Sequence, residues 1–207
     1  MLNSEERKLR KKQVGASEVY KLFNFDNQTL QSLYNQKIGV EESVEIDNEY
    51  VRAGNILEED CIKFYYHKKN ITEFILNKRY EHEEILNFVA STDGFDVMPT
   101  EIKTVGIDKL IKIIKENKPE RNHYIQVQAQ MSCTDTNEAV IIYFGLTDYD
   151  RSFPLEYVPS EFTMHEILVS RDDELVQEIE SRAKYFLWCI EYHWQPSERD
   201  YLLRNTV

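Results

Sequence analysis

Asp93, Glu101 and Lys103 stand in the stretch STDGFDVMPTEIKT, Ser91 to Thr104, at a spacing suited to metal-dependent cleavage of a phosphodiester. Alternate residues of a strand share a face, so Glu101 and Lys103 project together while Ile102 enters the core behind them. Asp93, at the end of the preceding strand and a short hairpin away, is placed to share one divalent cation with Glu101. The chemistry needs these types. Carboxylates give hard oxygen ligands to Mg²⁺, which keeps several waters and takes phosphate oxygens as its remaining ligands. An ammonium beside them can orient the attacking water or offset charge building on the phosphate. An exposed hairpin with salt-bridging charges would present the same D-x(7)-E-x-K pattern, so the surrounding chain has to decide.

Upstream, GNILEEDCIKFYY (residues 54–66) reads as a helix entered through a glycine turn at Gly54. At about 100° per residue, Leu57, Cys61, Phe64 and Tyr65 define one apolar face, and Glu58 falls within roughly 60° of its centre. Glu59 and Asp60 fall well away from it. A carboxylate on a core-facing stripe is costly unless it is paired or binds a metal, which singles out Glu58. At the rim of that face it would simply reach water. Downstream, HYIQVQAQMSC (residues 123–133) reads as a helix with Gln126 and Gln130 one turn apart on one face. Such amides can bond sugar or phosphate oxygens without reading base sequence, although any Gln-rich exposed face looks the same. At the N-terminus, RKKQVGASEVY (residues 10–20) runs a basic cluster into a small-residue turn, with Ser17 as N-cap of a helix to about Phe23. Free amides there would attract a phosphate, and Arg10 could add a bidentate partner. A cap beside a solvated basic tail is the alternative.

In this order, the pieces LRKKQVGASEVY, GNILEEDCIKFYY, STDGFD, EIKTV and YIQVQAQM resemble the lambda-exonuclease-like phage recombinases, the YqaJ-type branch of the PD-(D/E)XK nuclease superfamily. Each piece is common by chance, whereas their joint order and spacing are specific. The resemblance implies an α/β fold with a restriction-endonuclease-like core, a central mixed sheet flanked by helices. It implies catalytic residues Glu58, Asp93, Glu101 and Lys103, and Mg²⁺, replaceable by Mn²⁺, held by Glu58, Asp93, Glu101 and the Ile102 carbonyl. It places Gln126 and Gln130 near the DNA backbone and Arg10 and Ser17 at the DNA end or its terminal phosphate. It further implies 5′-to-3′ digestion of one strand of linear double-stranded DNA, a ring-shaped homo-oligomer such as a trimer, and a single-strand annealing protein as partner in phage-type recombination. Other PD-(D/E)XK nucleases of restriction or CRISPR-associated type, and a non-catalytic DNA-end-binding protein, are the competing readings. Four costly charged groups retained in one place speak against the last. Two features depart from the family's pattern: the hairpin before Glu101 is short and contains Pro99, and the chain is strongly acidic.

The formal charge of −12 argues against a broad basic DNA-binding surface. Positive charge is instead clustered, at Arg7, Lys8, Arg10, Lys11 and Lys12 and again at Lys109, Lys112, Lys115, Lys118 and Arg121, both expected to flank the site. A chain of 207 residues without a Pro/Gly/Ser linker reads as one domain spanning 1–207. Cys61, Cys133 and Cys189 lack any C-x-x-C pairing and fit a reducing compartment. With no signal-peptide core and no apolar run of about 20 residues, the expected location is cytoplasmic and the expected partners exclude a membrane. Periodicity predicts helices near 17–23, 28–37, 55–68, 107–117, 121–133 and 172–193, strands near 72–80, 85–92, 100–105, 138–147 and 153–158, and an acidic loop over 39–48.

Overall fold

The computed structural model describes residues 4–25, 28–42 and 48–205, without the side chains of residues 4–7 and 205. Arg7 of the N-terminal basic cluster and residues 43–47 of the acidic loop therefore lie outside the description. Strands β1 (Val14–Gly15), β2 (Ile75–Glu81), β3 (Phe88–Phe95), β4 (Pro99–Gly106), β5 (Glu138–Leu146) and β6 (Met164–Ser170) form one mixed sheet in the order β1-β3-β4-β5-β6, with β2 also paired to β3. Pairing is parallel for β1–β3 and β4–β5 and antiparallel for β2–β3, β3–β4 and β5–β6. The helices are α1 (Ser4–Lys11), a 3₁₀ helix (Ala16–Phe23), α2 (Gln28–Ile38), α3 (Glu49–Lys68), α4 (Ile107–Glu116), α5 (Arg121–Thr134), the short α6 (Asp148–Ser152), α7 (Asp173–Glu191) and α8 (Glu198–Asn205).

Strand alternation sorts β4 and β5 into two faces. Ile102, Val140, Ile142 and Phe144 pack with Leu57, Cys61 and Ile62 of α3. Val105, Ala139, Ile141 and Tyr143 pack with Leu110 of α4 and with Val127 and Met131 of α5. Glu101 and Lys103 share the parity of Val105, so they face α5, as the alternation predicts.

The sheet is split where the charged residues stand. β2 runs along one edge of β3 from Glu81↔Val89 to Ile75↔Phe95. On the other edge β1 takes only Phe88 and Val89, and β4 takes only Gly94 and Phe95. Between these points β3 and β4 diverge, and side chains supply the missing ladder bonds: Ile102 N donates to Asp93 Oδ2 at 2.7 Å, and Gln130 Nε2 donates to Ser91 O at 2.9 Å. Buried backbone groups need such partners, so the split is a built feature. Gly94 closes it at the hairpin end. A Cβ there would sit 2.3 Å from Ile62 Cδ1 and 2.6 Å from the Tyr66 hydroxyl. Gly94→Ala is expected to cost about 1–3 kcal/mol by overpacking, lowering the melting temperature by about 2–12 °C in a chain of this size. An unchanged melt would mean that α3 and β3 are not packed as described.

Three sequence expectations are corrected here. Residues 153–158 form no strand; Pro154 opens a 3₁₀ turn over Pro154–Glu156, and the edge strand is β6, whose Ile167 and Val169 alternate inward. α3 is not entered through a turn at Gly54. It starts at Glu49, where Asn48 Oδ1 accepts from Val51 N at 3.0 Å, and Gly54 lies inside the helix where a Cβ would be 3.2 Å from Thr104 Oγ1. The helix near 17–23 is 3₁₀ and its N-cap is Gly15, not Ser17. α1, β1 and α8 were not anticipated.

Candidate active site

Glu58, Asp93, Glu101 and Lys103 come from α3, β3 and β4 and line one cleft of about 490 Å³ together with Arg10, Ser17 and Gln126. Glu101 is almost fully buried at 3% exposure. Its Oε1 accepts from Lys103 Nζ at 2.6 Å and from Gln126 Nε2 at 2.5 Å, and its Oε2 accepts from Gln130 Nε2 at 2.5 Å. Asp93 sits in the split on the Ile102 amide, and Glu58 of α3 lines the same cleft. Within the acidic triplet Glu58 is half-buried, whereas Glu59 and Asp60 are exposed and Glu59 pairs with Lys63.

The electrostatics record negative charge crowded in a low-dielectric place. Burial, then the charges of Glu101 and Glu58, pushes the Asp93 carboxyl well above the ordinary carboxylate range. Burial and then Glu101 also raise Glu58, against the lowering effect of Lys103 and of the Asp93 hydrogen bond. Burial alone would pull Lys103 down, but Glu101, Asp93 and Glu58 outweigh it and hold the ammonium above its usual value. The Lys103 ammonium is thus held protonated by its acidic neighbours. His123, one turn before Gln126 on α5, is pushed down to about 3 by burial, then by Lys103 and Lys109, and its Nδ1 lies 3.0 Å from the Tyr143 hydroxyl. Tyr143 is the register partner of Lys103 across β4 and β5, and behind it Glu120 lies 3.6 Å from His123 and pairs with Lys109 at 2.8 Å.

Residues 7–137 match the model of the YqaJ-like viral recombinase domain. The chain belongs to that family. No curated relative matches it. Among solved structures it is similar to the alkaline exonuclease LHK-Exo from Laribacter hongkongensis, with 26% identity, a TM-score of 0.74 and coverage of 99% of this chain and 98% of that one in the complex with dAMP. A second structure of the same enzyme gives 25% identity and a TM-score of 0.74 over 95% and 94% of the two chains. A phage-related exonuclease from Haemophilus somnus shares the fold, at 20% identity and a TM-score of 0.63 over 87% of this chain and 96% of that one. The mixed sheet flanked by helices is thus of the PD-(D/E)XK type.

Several expected placements differ in this YqaJ-like chain. Gln130 is fully buried and donates its amide N–H groups to Glu101 and Ser91, so it supports the site from within. Ser17 is exposed and caps nothing; Glu18 instead accepts from Gly15 N at 2.9 Å and pairs with Lys37 at 2.8 Å. A carboxylate thus occupies the helix start where a phosphate was expected. Of the two basic clusters only the first contributes to the cleft, through Arg10; in the second, Lys109 pairs with Glu120 at 2.8 Å. Lys37 and Arg79 were missed. Both line the cleft, and Arg79 is hydrogen-bonded to the buried Gln13. Neither lies in a motif, since they converge only through packing of α2 and β2 around the split. Among the described residues no helix is long and apolar enough to cross a membrane, and the three cysteines are buried and free.

Among the described residues, no three His, Cys, Asp or Glu side chains are gathered closely enough to hold a metal ion by themselves. Mg²⁺ does not require that, since it commonly takes one or two carboxylates and completes its shell with water and phosphate oxygens. The donors present are hard oxygens, and the raised Asp93 and Glu58 mark negative charge that one ammonium leaves uncompensated. The residues fit a hard divalent cation. A test follows from the sign of the Asp93 shift. A carboxyl raised in the fold contributes stability that is full below its unfolded pKa and is lost as pH rises through the folded one. Asp93→Asn removes that loss while keeping an oxygen for the Ile102 amide. In EDTA at neutral pH the variant is expected to melt several degrees above wild type, with the gap closing toward pH 4. It should also lose most of the stabilisation that Mg²⁺ gives the wild type. An equal Mg²⁺ increment in both proteins would remove Asp93 from the cation site.

Proposed function

We propose that this protein is a Mg²⁺-dependent exodeoxyribonuclease that digests one strand of linear duplex DNA, 5′ to 3′, and so supplies single strands to an annealing protein in phage-type recombination. The observation that carries the reading is the convergence of Glu58, Asp93, Glu101 and Lys103, from three elements, at the split between β3 and β4. The likeness to LHK-Exo, an alkaline exonuclease crystallised with dAMP, supports the substrate class.

One or two of the carboxylates of Glu58, Asp93 and Glu101, with the Ile102 carbonyl, would hold the cation, which when bound supplies positive charge to the phosphate and acidifies a water. Lys103, held protonated by its acidic neighbours, donates to the attacking water or to a phosphate oxygen as negative charge builds there. Arg10, Lys37 and Arg79, together with Lys103, offset the four acids Glu18, Glu58, Asp93 and Glu101 that line the cleft and attract the backbone into it. Arg10 would receive a terminal phosphate from the cleft wall that it shares with Ser17, away from the helix start that Glu18 occupies. A homo-oligomeric ring around the duplex and a single-domain organisation complete the proposal.

The test is substrate topology. With Mg²⁺, the protein should consume 5′-phosphorylated linear duplex and spare the closed circle of the same sequence, with no loss of either in EDTA. Cutting of the circle would favour an endonuclease of restriction type, and binding of ends without loss of DNA would favour a non-catalytic end-binding protein.

A further inference from the structure

Both carboxylate oxygens of Glu101 are taken by this chain's own donors. Oε1 is shared by Lys103 Nζ at 2.6 Å and Gln126 Nε2 at 2.5 Å, while Oε2 is held by Gln130 Nε2 at 2.5 Å. The two glutamines are not equivalent. Gln130 is fully buried, and its amide nitrogen is also committed to Ser91 O at 2.9 Å, so moving it would undo the repair of the split sheet. Gln126 is half-buried and lines the cleft, and Glu101 is the one hydrogen-bond partner recorded for it among the described residues. A cation ligated by Glu101 needs a lone pair turned toward it. An N–H aimed at the same oxygen competes for that position.

We infer that Gln126 is a latch on Glu101. It holds Oε1 while the site lacks a cation, yields that oxygen when a divalent ion enters, and is then free to donate to a DNA phosphate oxygen over the cleft. This rests on the nuclease reading above and gives it a consequence: cation and DNA bind interdependently, because the group released by one is recruited by the other. Linkage makes the effect reciprocal, so bound DNA, by holding the amide away from Oε1, tightens the cation site. Gln130 has the opposite role, keeping Glu101 in place whether or not a cation is present.

The experiment is titration of Mn²⁺ into the full chain without DNA, read from the loss of the free-ion EPR signal, for wild type, Gln126→Met and Gln130→Met. Melting in EDTA verifies that each is folded. Methionine keeps the bulk of glutamine and removes its donor. Gln126→Met should hold Mn²⁺ about tenfold more tightly than wild type, equivalent to about 1.4 kcal/mol. Gln130→Met should hold it more weakly; if that variant does not fold, the comparison of Gln126→Met with wild type still decides. Equal or weaker binding by Gln126→Met overturns the latch and leaves the nuclease reading standing. No Mn²⁺ held by any of the proteins overturns both.

Discussion

Lys103→Ala is expected to slow hydrolysis of linear duplex DNA by about a hundredfold or more, with the chain still folded. The magnitude is that of removing one preorganised donor from a developing anion. The role follows from geometry and charge together. Lys103 points with Glu101 toward α5, its ammonium is 2.6 Å from Glu101 Oε1, and the three carboxylates hold its proton on. A lysine so held contributes as a cation, so activity should not rise with pH through a deprotonation of Lys103, as it would if the amine were the base. Removing it also leaves a buried carboxylate with only amide partners, and some stability is lost with it. Kinetics should therefore be compared well below the melting temperature of the variant. Near-wild-type turnover by Lys103→Ala with a divalent ion present would place the chemistry elsewhere.

Glu58→Gln is expected to cost a hundredfold or more in turnover, while Glu59→Gln and Asp60→Asn change it by less than about twofold. The loss of a cation ligand removes several kcal/mol of charge stabilisation, and about 2.7 kcal/mol is a factor of a hundred. Glu59 and Asp60 are exposed, and the Glu59–Lys63 pair is an ordinary solvent-screened surface i,i+4 bridge. The contrast within three consecutive acids controls for net charge and helix propensity. Rates measured at saturating Mg²⁺ on one linear duplex decide it, and equal effects at all three positions would withdraw Glu58 from the site.

The parts of this site legible in the sequence are those fixed by local periodicity. Alternation put Glu101 and Lys103 on one side of β4 and Ile102 on the other, and the helical wheel separated Glu58 from Glu59 and Asp60. Gln126 and Gln130 were placed correctly on one face of α5, but periodicity cannot tell depth along that face. The buried one serves the protein and the half-buried one meets the cleft. Ser17 looked like a cap because capping residues are recognised by type; here Glu18 reaches back to Gly15 in its stead. Gly54 looked like a helix start because glycine usually breaks helices, whereas its lack of a side chain lets α3 approach Thr104. The split between β3 and β4, and the arrival of Lys37 and Arg79 beside it, depend on contacts between residues far apart in sequence and carry no local signature. Prediction of a strand over 153–158 failed for the complementary reason: Phe153, Leu155 and Val158 have strand-like types, but Pro154 removes a ladder donor and favours the turn that is found.

The most direct measurement of the central claim is the release of acid-soluble nucleotide from 5′-phosphorylated linear duplex by protein freed of divalent ions with EDTA and then resupplied with Mg²⁺. The arrangement of Glu58, Asp93 and Glu101 around an unmet demand for positive charge predicts no release in EDTA and full recovery on Mg²⁺ addition, and no recovery for Glu101→Gln. Release that continues in EDTA, or that Glu101→Gln supports at the wild-type rate, would contradict it.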